Sequence, residues 1–260
     1  MVLSNPVKGE RQQYSFFLCI KVIDIRKEKY MLGIIGAMAD EVAQLKAEMS
    51  NIEIVSAAGM DFYRGTIGGK DVVVVKSGIG KVNVAMCVQI LADRFQVDGI
   101  VNTGIAGSLK AEINIGDMVL STDALQHDVD AVAFGYPVGQ IPQMDVFSFE
   151  ADETLRKAAR ECCSQVNPEI GVFEGRIVTG DQFISGKEKK QWLADTFQGY
   201  CTEMEGAAIA QAAYLNKIPF LIVRAISDKA DDSASVDYPE FERQAILHST
   251  RLTKALIENY

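Results

Sequence analysis

At 260 residues the chain is long enough for one large α/β domain or two small ones, with room for a substantial core. Hydrophobic residues make up 48% and charged residues 23%, an ordinary balance for an enzyme. The formal net charge of -9, with no basic stripe along the chain, excludes a nucleic-acid surface, and no apolar run approaches a transmembrane span.

Residues 1–30 stand apart from the rest of the chain. The apolar stretch Ser15-Phe16-Phe17-Leu18-Cys19-Ile20 is cut short by Lys21 and succeeded by the charged residues 24–29, so it is no secretory signal. A cytoplasmic protein is expected, with translation starting at Met31 and residues 1–30 a leader outside the fold. Residues 31–260 are then expected to form one domain.

From Met31 strands and helices alternate. Met31 to Ala37 is an apolar run of buried-strand length, and Asp40 to Met49 carries Val42, Leu45 and Met49 on one helical stripe. Ile52 to Val55, Asp61 to Ile67 and Val72 to Val75 read as strands, the last two joined by a Gly68-Gly69 hairpin turn. Lys81 to Phe95 is predicted helical, and Gly99 to Asn102 a strand ending in Thr103-Gly104-Ile105-Ala106-Gly107. Asp117 to Leu125 is a further strand, and after it comes a long Gly- and Pro-rich loop over Phe134 to Val146. Then come a helix at Ala151 to Ser164, a strand at Val172 to Thr179 and a surface helix at Lys187 to Phe197. Met204 to Leu215 is a buried helix of small residues, Phe220 to Ala225 a core strand, and Pro239 to Asn259 an amphipathic terminal helix. The alternation predicts a single α/β domain, a sheet covered by helices.

Three separated acids stand out. Asp228 closes an apolar strand, Glu205 sits at the mouth of the small-residue helix, and Glu41 comes just after the first strand. Acids at strand and helix ends, partly withdrawn from water, suit acid–base chemistry on a neutral organic molecule. Ser77-Gly78-Ile79-Gly80-Lys81 fails the phosphate-loop pattern, since Val82 replaces the required Ser or Thr, and reads as a tight strand-to-helix turn. Gly104-x-x-Gly107 is either a turn or a close approach to a ligand, and spacing does not decide. Arg224 is either a ligand clamp or an internal ion-pair partner, the second being the plainer reading. His127-Asp128 is not expected to act as a dyad, because adjacent strand residues face opposite sides. Phe183 is a core aromatic unless a site adjoins it, where it would stack on a planar base. The five cysteines form no C-x-x-C pair, and with His127 and His248 the only histidines, no metal site is expected.

Taken together the segments resemble the bacterial 5'-methylthioadenosine/S-adenosylhomocysteine nucleosidases. The matching motifs are Gly-Ile-Ile-Gly-Ala-Met-x-x-Glu at 33–41, Ser-Gly-Ile-Gly-Lys-Val at 77–82 and Asn-Thr-Gly-x-Ala-Gly at 102–107. Gly-Asp-x-Phe-Ile at 180–184, Glu-Met-Glu at 203–205 and Arg-Ala-Ile-Ser-Asp at 224–228 complete the set. The resemblance implies a nucleoside-phosphorylase-like fold with a central mixed, twisted β-sheet flanked by helices, a homodimer, and cofactor-free hydrolysis of the adenine–ribose bond. It implies Asp228 as the general acid at N7 of adenine and Glu41 as the base that activates water. Glu205 would hold the ribose hydroxyls over Met204, and Phe183 would stack on the purine. The Ile184 backbone and Ser227 would hold the base and Asp228, Ile79 and Gly107 would line the pocket, and Arg224 is carried over as a binding residue. Phe134 and Pro142 would cap the alkylthio group in the neighbouring subunit. Methylthioadenosine, S-adenosylhomocysteine and 5'-deoxyadenosine are the expected substrates. Ile105 and Ser108 depart from the family pattern beside the pocket.

Two rivals share the fold, a nucleoside phosphorylase and a futalosine hydrolase. A third reading is a nucleoside-binding protein without catalysis, against which three intact acids speak. Phosphorolysis asks for arginines at the phosphate end, and the loops at 33–41 and 77–83 offer only Lys81.

Overall fold

A computed structural model describes residues 30–231 and 234–260. The leader expected over 1–30 therefore lies, apart from Tyr30, outside the described residues. The remainder is a 10-stranded mixed sheet with helices packed against it. Strands β1 (Met31–Gly36), β4 (Lys70–Lys76), β5 (Gly99–Ser108) and β10 (Phe220–Asp228) run parallel in the order β4, β1, β5, β10. Beyond β4 the sheet is extended by two antiparallel strands, β3 (Met60–Ile67) and the edge strand β2 (Ser50–Ala57). β5 is buried at all 10 positions and β10 at all 9, including the polar Asn102, Thr103, Ser108, Arg224, Ser227 and Asp228.

The other side closes on itself. β6 (Met118–Gln126) pairs antiparallel with β10, β8 (Val172–Thr179) parallel with β6, and β9 (Cys201–Glu203) parallel with β8. β9 then returns antiparallel to Gly107 and Ser108 at the far end of β5. β5, β10, β6, β8 and β9 thus form a ring of strands. β5 shares one edge between two partners, β1 along residues 99–102 and β9 along residues 107–108. Between these pairings lie residues 103–106, and there the sheet opens.

Helix α6 (Ala234–Asn259) packs on β10 and β5, and α5 (Gly206–Asn216) on β6 and β8. α1 (Ala39–Ala47), α2 (Lys81–Ile90), α3 (Glu153–Val166) and α4 (Lys187–Phe197) complete the cover. Asp152 caps α3, its carboxylate accepting the Leu155 N–H at 2.8 Å, worth about 1 kcal/mol. The Gly68-Gly69 turn has positive φ at both residues, 56° and 80°, as the hairpin requires.

The structure corrects several boundaries. Gly104-x-x-Gly107 is no turn, because β5 runs through it to Ser108. β10 continues past Ala225 to Asp228, and α6 begins at Ala234, ahead of the expected Pro239. α5 starts at Gly206, leaving Met204 outside the helix and Glu205 at its N-cap. Two short strands went unexpected, β7 (Phe149–Glu150) and β9. Among the described residues no helix is long and apolar enough to cross a membrane.

Candidate active site

The opening beside residues 103–106 leads into a cavity of about 390 Å³. Its wall includes Glu41, Ile79, Gly107, Phe183, Met204, Glu205, Ser227 and Asp228, drawn from six stretches of the chain. An adjoining cavity of about 30 Å³ adds Gln182 and Ile184 and shares Phe183 and Asp228, but not Glu41. Asp228 therefore stands at the Phe183 end of the site and Glu41 away from it. No lysine or arginine is among the lining residues.

Each acid is held by a different device. Glu41 is buried on the first turn of α1, and its Oε2 accepts the N–H groups of Ala37 at 2.7 Å and Met38 at 2.9 Å. Burial raises its pKa above the ordinary carboxylate value; Arg224 and the N–H groups of Met38, Ala37 and Ile105 oppose the rise without cancelling it. Asp228 ends β10 beside a bulge: Ile226 pairs with Ala106 and Asp228 with Gly107, so Ser227 is an extra residue without a counterpart. A bulge re-aims the side chain next to it. Ser227 Oγ donates to Asp228 Oδ2 at 2.9 Å, and the Ala230 N–H donates to Oδ1 at 2.8 Å.

Glu205 accepts the Gly80 N–H at 2.9 Å, which ties the turn after β4 to the mouth of α5. Burial and the neighbouring Glu203 raise its pKa, with Arg224 and that N–H opposing. Glu203, absent from the expected site, is the hub. Its Oε2 accepts the N–H groups of Glu205 at 3.1 Å and Gly206 at 2.7 Å and pairs with Arg224, while its Oε1 accepts from Thr179. An anion at the start of a helix is favourable there.

Arg224 takes the place of an internal ion-pair partner, the plainer of its two readings, and not that of a ligand clamp. It stands behind the wall, outside the lining, fully buried, with Nη2 shared between Glu203 and Asn102 and 4.0 Å from Glu205. Burial pulls its pKa down, but Glu203, Glu205 and Glu41 outweigh that and hold it charged. Phe134 and Pro142 also lie outside this chain's own cavity, and Phe134 is 84% exposed. His127 is buried with neither ring nitrogen partnered among the described residues, and burial pushes its pKa down to about 4. Its neighbour Asp128 turns instead to Lys81 Nζ, at 2.7 Å. The two do not form a dyad.

The rim is aromatic. Phe183 is 53% exposed and meets the edge of Tyr238 from α6, ring centroids 5.8 Å apart at 89°. Tyr238 carried no sequence signal, since it precedes the expected helix. Glu203 did carry one: it opens the Glu-Met-Glu segment at 203–205 whose second acid stands out.

Comparison with known proteins places the chain in a family. The family model of the phosphorylase superfamily matches residues 31–258. A 5'-methylthioadenosine/S-adenosylhomocysteine nucleosidase of Bacillus thuringiensis (strain Al Hakam) is 41% identical over 228 residues, covering 87% of this chain and 98% of the relative. The crystal structure of a nucleosidase of the same name from Colwellia psychrerythraea 34H, in complex with adenine, is similar with a TM-score of 0.85. It is 40% identical, over 88% of this chain and 95% of that one. The futalosine hydrolase of Helicobacter pylori strain 26695 has a TM-score of 0.84 at 31% identity, over 89% and 98% of the two chains.

Proposed function

The chain belongs to the phosphorylase superfamily, and from that premise we propose that it hydrolyses the N-glycosidic bond of 5'-methylthioadenosine and S-adenosylhomocysteine, releasing adenine. The observation that carries this reading is the pair of buried carboxyls, Glu41 and Asp228, on one largely apolar cavity with no lysine or arginine among the described residues that line it. Phosphate would have to enter beside Glu41 with no lysine or arginine among the described lining residues to receive it. Water meets no such barrier.

Breaking the bond from the anomeric carbon to N9 builds oxocarbenium character in the sugar. The departing electron pair moves into the purine, and Asp228 donates a proton to N7 so that neutral adenine leaves. Glu41 accepts a proton from the attacking water, whose oxygen bonds to the anomeric carbon. Each such proton transfer contributes roughly 10²–10⁴ in rate. Phe183 stacks on the purine, with Ile184 beside it and Ser227 orienting Asp228. Glu205 receives the ribose hydroxyls, Met204 packs under the sugar, and Ile79 and Gly107 close the walls. Arg224 takes part through Glu203 and Glu205.

An apolar 5' end also suits 5'-deoxyadenosine. The 41% identity to a methylthioadenosine nucleosidase over 87% of this chain favours the first substrate class. We further assign the exposed Phe134 and Pro142 to the alkylthio end of a partner copy's site in a homodimer. Val82, 72% exposed, and Val132, 54% exposed, supply further apolar surface for such contact.

The test is adenine release from 5'-methylthioadenosine by the purified protein, with and without phosphate. Equal rates and free methylthioribose are expected. Strict dependence on phosphate, with a sugar 1-phosphate product, would overturn the role of Glu41.

A further inference from the structure

β5 carries Gly104 and Gly107 in a strand buried along its whole length. Glycine weakens a strand interior and there marks a bulge, a bend or a close approach. Neither residue takes a positive φ, so backbone conformation supplies no reason for it. The reason is steric. A Cβ on Gly104 would lie 2.7 Å from Glu41 Oε1 and 3.0 Å from Arg224 Nη1. A Cβ on Gly107 would lie 2.7 Å from Asp228 Oδ1 and 2.8 Å from Ala230 Cβ. The register agrees, with Arg224 opposite Gly104 and Asp228 opposite Gly107.

We propose that Gly104 and Gly107 are positioning residues for the reaction, bare α-carbons of one strand on which base and acid are seated. This rests on the roles given above to Glu41 and Asp228. The seats are three residues apart, about 10 Å along the strand. β5 therefore sets the spacing between the group that takes a proton and the group that gives one. Gly104 also lets the Arg224 guanidinium fold across the strand toward Glu41, which helps keep that buried carboxyl ionised.

Gly104→Ala is the decisive variant. Its methyl displaces the Glu41 carboxylate, and a displacement on the order of 1 Å costs about 10²-fold in turnover. Adenine affinity should stay unchanged, because the base end is untouched. Gly107→Ala should instead weaken adenine binding and turnover together. Shortening the base by one methylene relieves the clash, so Glu41→Asp should cost less in the Gly104→Ala background than in the parent chain. Wild-type turnover in Gly104→Ala, or independent losses in the double variant, would overturn the proposal. Should Gly104→Ala fail to fold, recovery of folding on adding Glu41→Asp supports it and no recovery overturns it. Full turnover in Glu41→Gln alone would sink the parent reading, whereas an inactive Glu41→Gln beside a fully active Gly104→Ala sinks only this one.

Discussion

Asp228→Asn keeps the shape of the side chain and removes the proton it can give. Turnover should fall by roughly 10²–10⁴ while the fold, read by circular dichroism, stays intact. Near-normal turnover would refute the acid assignment. Glu41→Gln joins activity to stability. Because burial lifts Glu41 above its ordinary value of 4.5, the folded chain holds a proton between that value and the raised one, where the unfolded chain has lost it. Stability thus falls as pH rises through that window, and the cost is present in full above it. Glu41→Gln should abolish turnover yet raise the melting midpoint at pH 8. The gain should fade as the pH approaches 4.5; an equal gain at every pH would contradict the burial account. The acids themselves were legible in the sequence, since an acid after an apolar run at a strand end is conspicuous. Arg224's place was legible only as the plainer of two readings, because a strand residue gives no sign of whether it faces the cavity or backs the wall.

At the level of elements, the mouth of α5 concentrates the risk. Glu203 accepts the N–H groups of Glu205 and Gly206 and is the direct ion-pair partner of Arg224, while Thr179 takes the Ala207 N–H. Removing one partner of a buried pair leaves an uncompensated charge and costs about 3–5 kcal/mol. Glu203→Gln should therefore lower the melting midpoint by roughly 6–20 °C, more than Glu205→Gln, which leaves that pair in place. Equal effects would remove Glu203 from the centre of the network. Long, strongly patterned elements were readable: β8 and α4 fall where hydrophobic spacing puts them. β9 and β7, of 3 and 2 residues, are too short for any periodicity and exist only through their partners. β5 ran past its expected end because glycine normally marks a turn, and here it marks a close approach instead.

For the whole molecule, the homodimer proposal is open to direct measurement. Phe134→Asp should shift sedimentation toward monomer and raise KM for methylthioadenosine, if a partner's Phe134 caps the alkylthio end. A dimer with unchanged KM would separate assembly from the site. The closed circuit of β5, β10, β6, β8 and β9 has a dynamic consequence. No member of a hydrogen-bonded hoop can slide without breaking pairings on both sides, so the seats of acid and base are clamped during turnover. Traffic of nucleoside inward and adenine outward then falls to turns tethered at the hoop's margin. These are 77–80, fastened by the Gly80 N–H to Glu205, and 180–186, fastened by Asp181 to the Lys81 N–H and the Asp128 carboxylate. Their amides should exchange with deuterium well before those of β5 and β10, and adenine should slow the turns while leaving the hoop unchanged. The enzyme, so read, is a rigid gauge with a soft doorway.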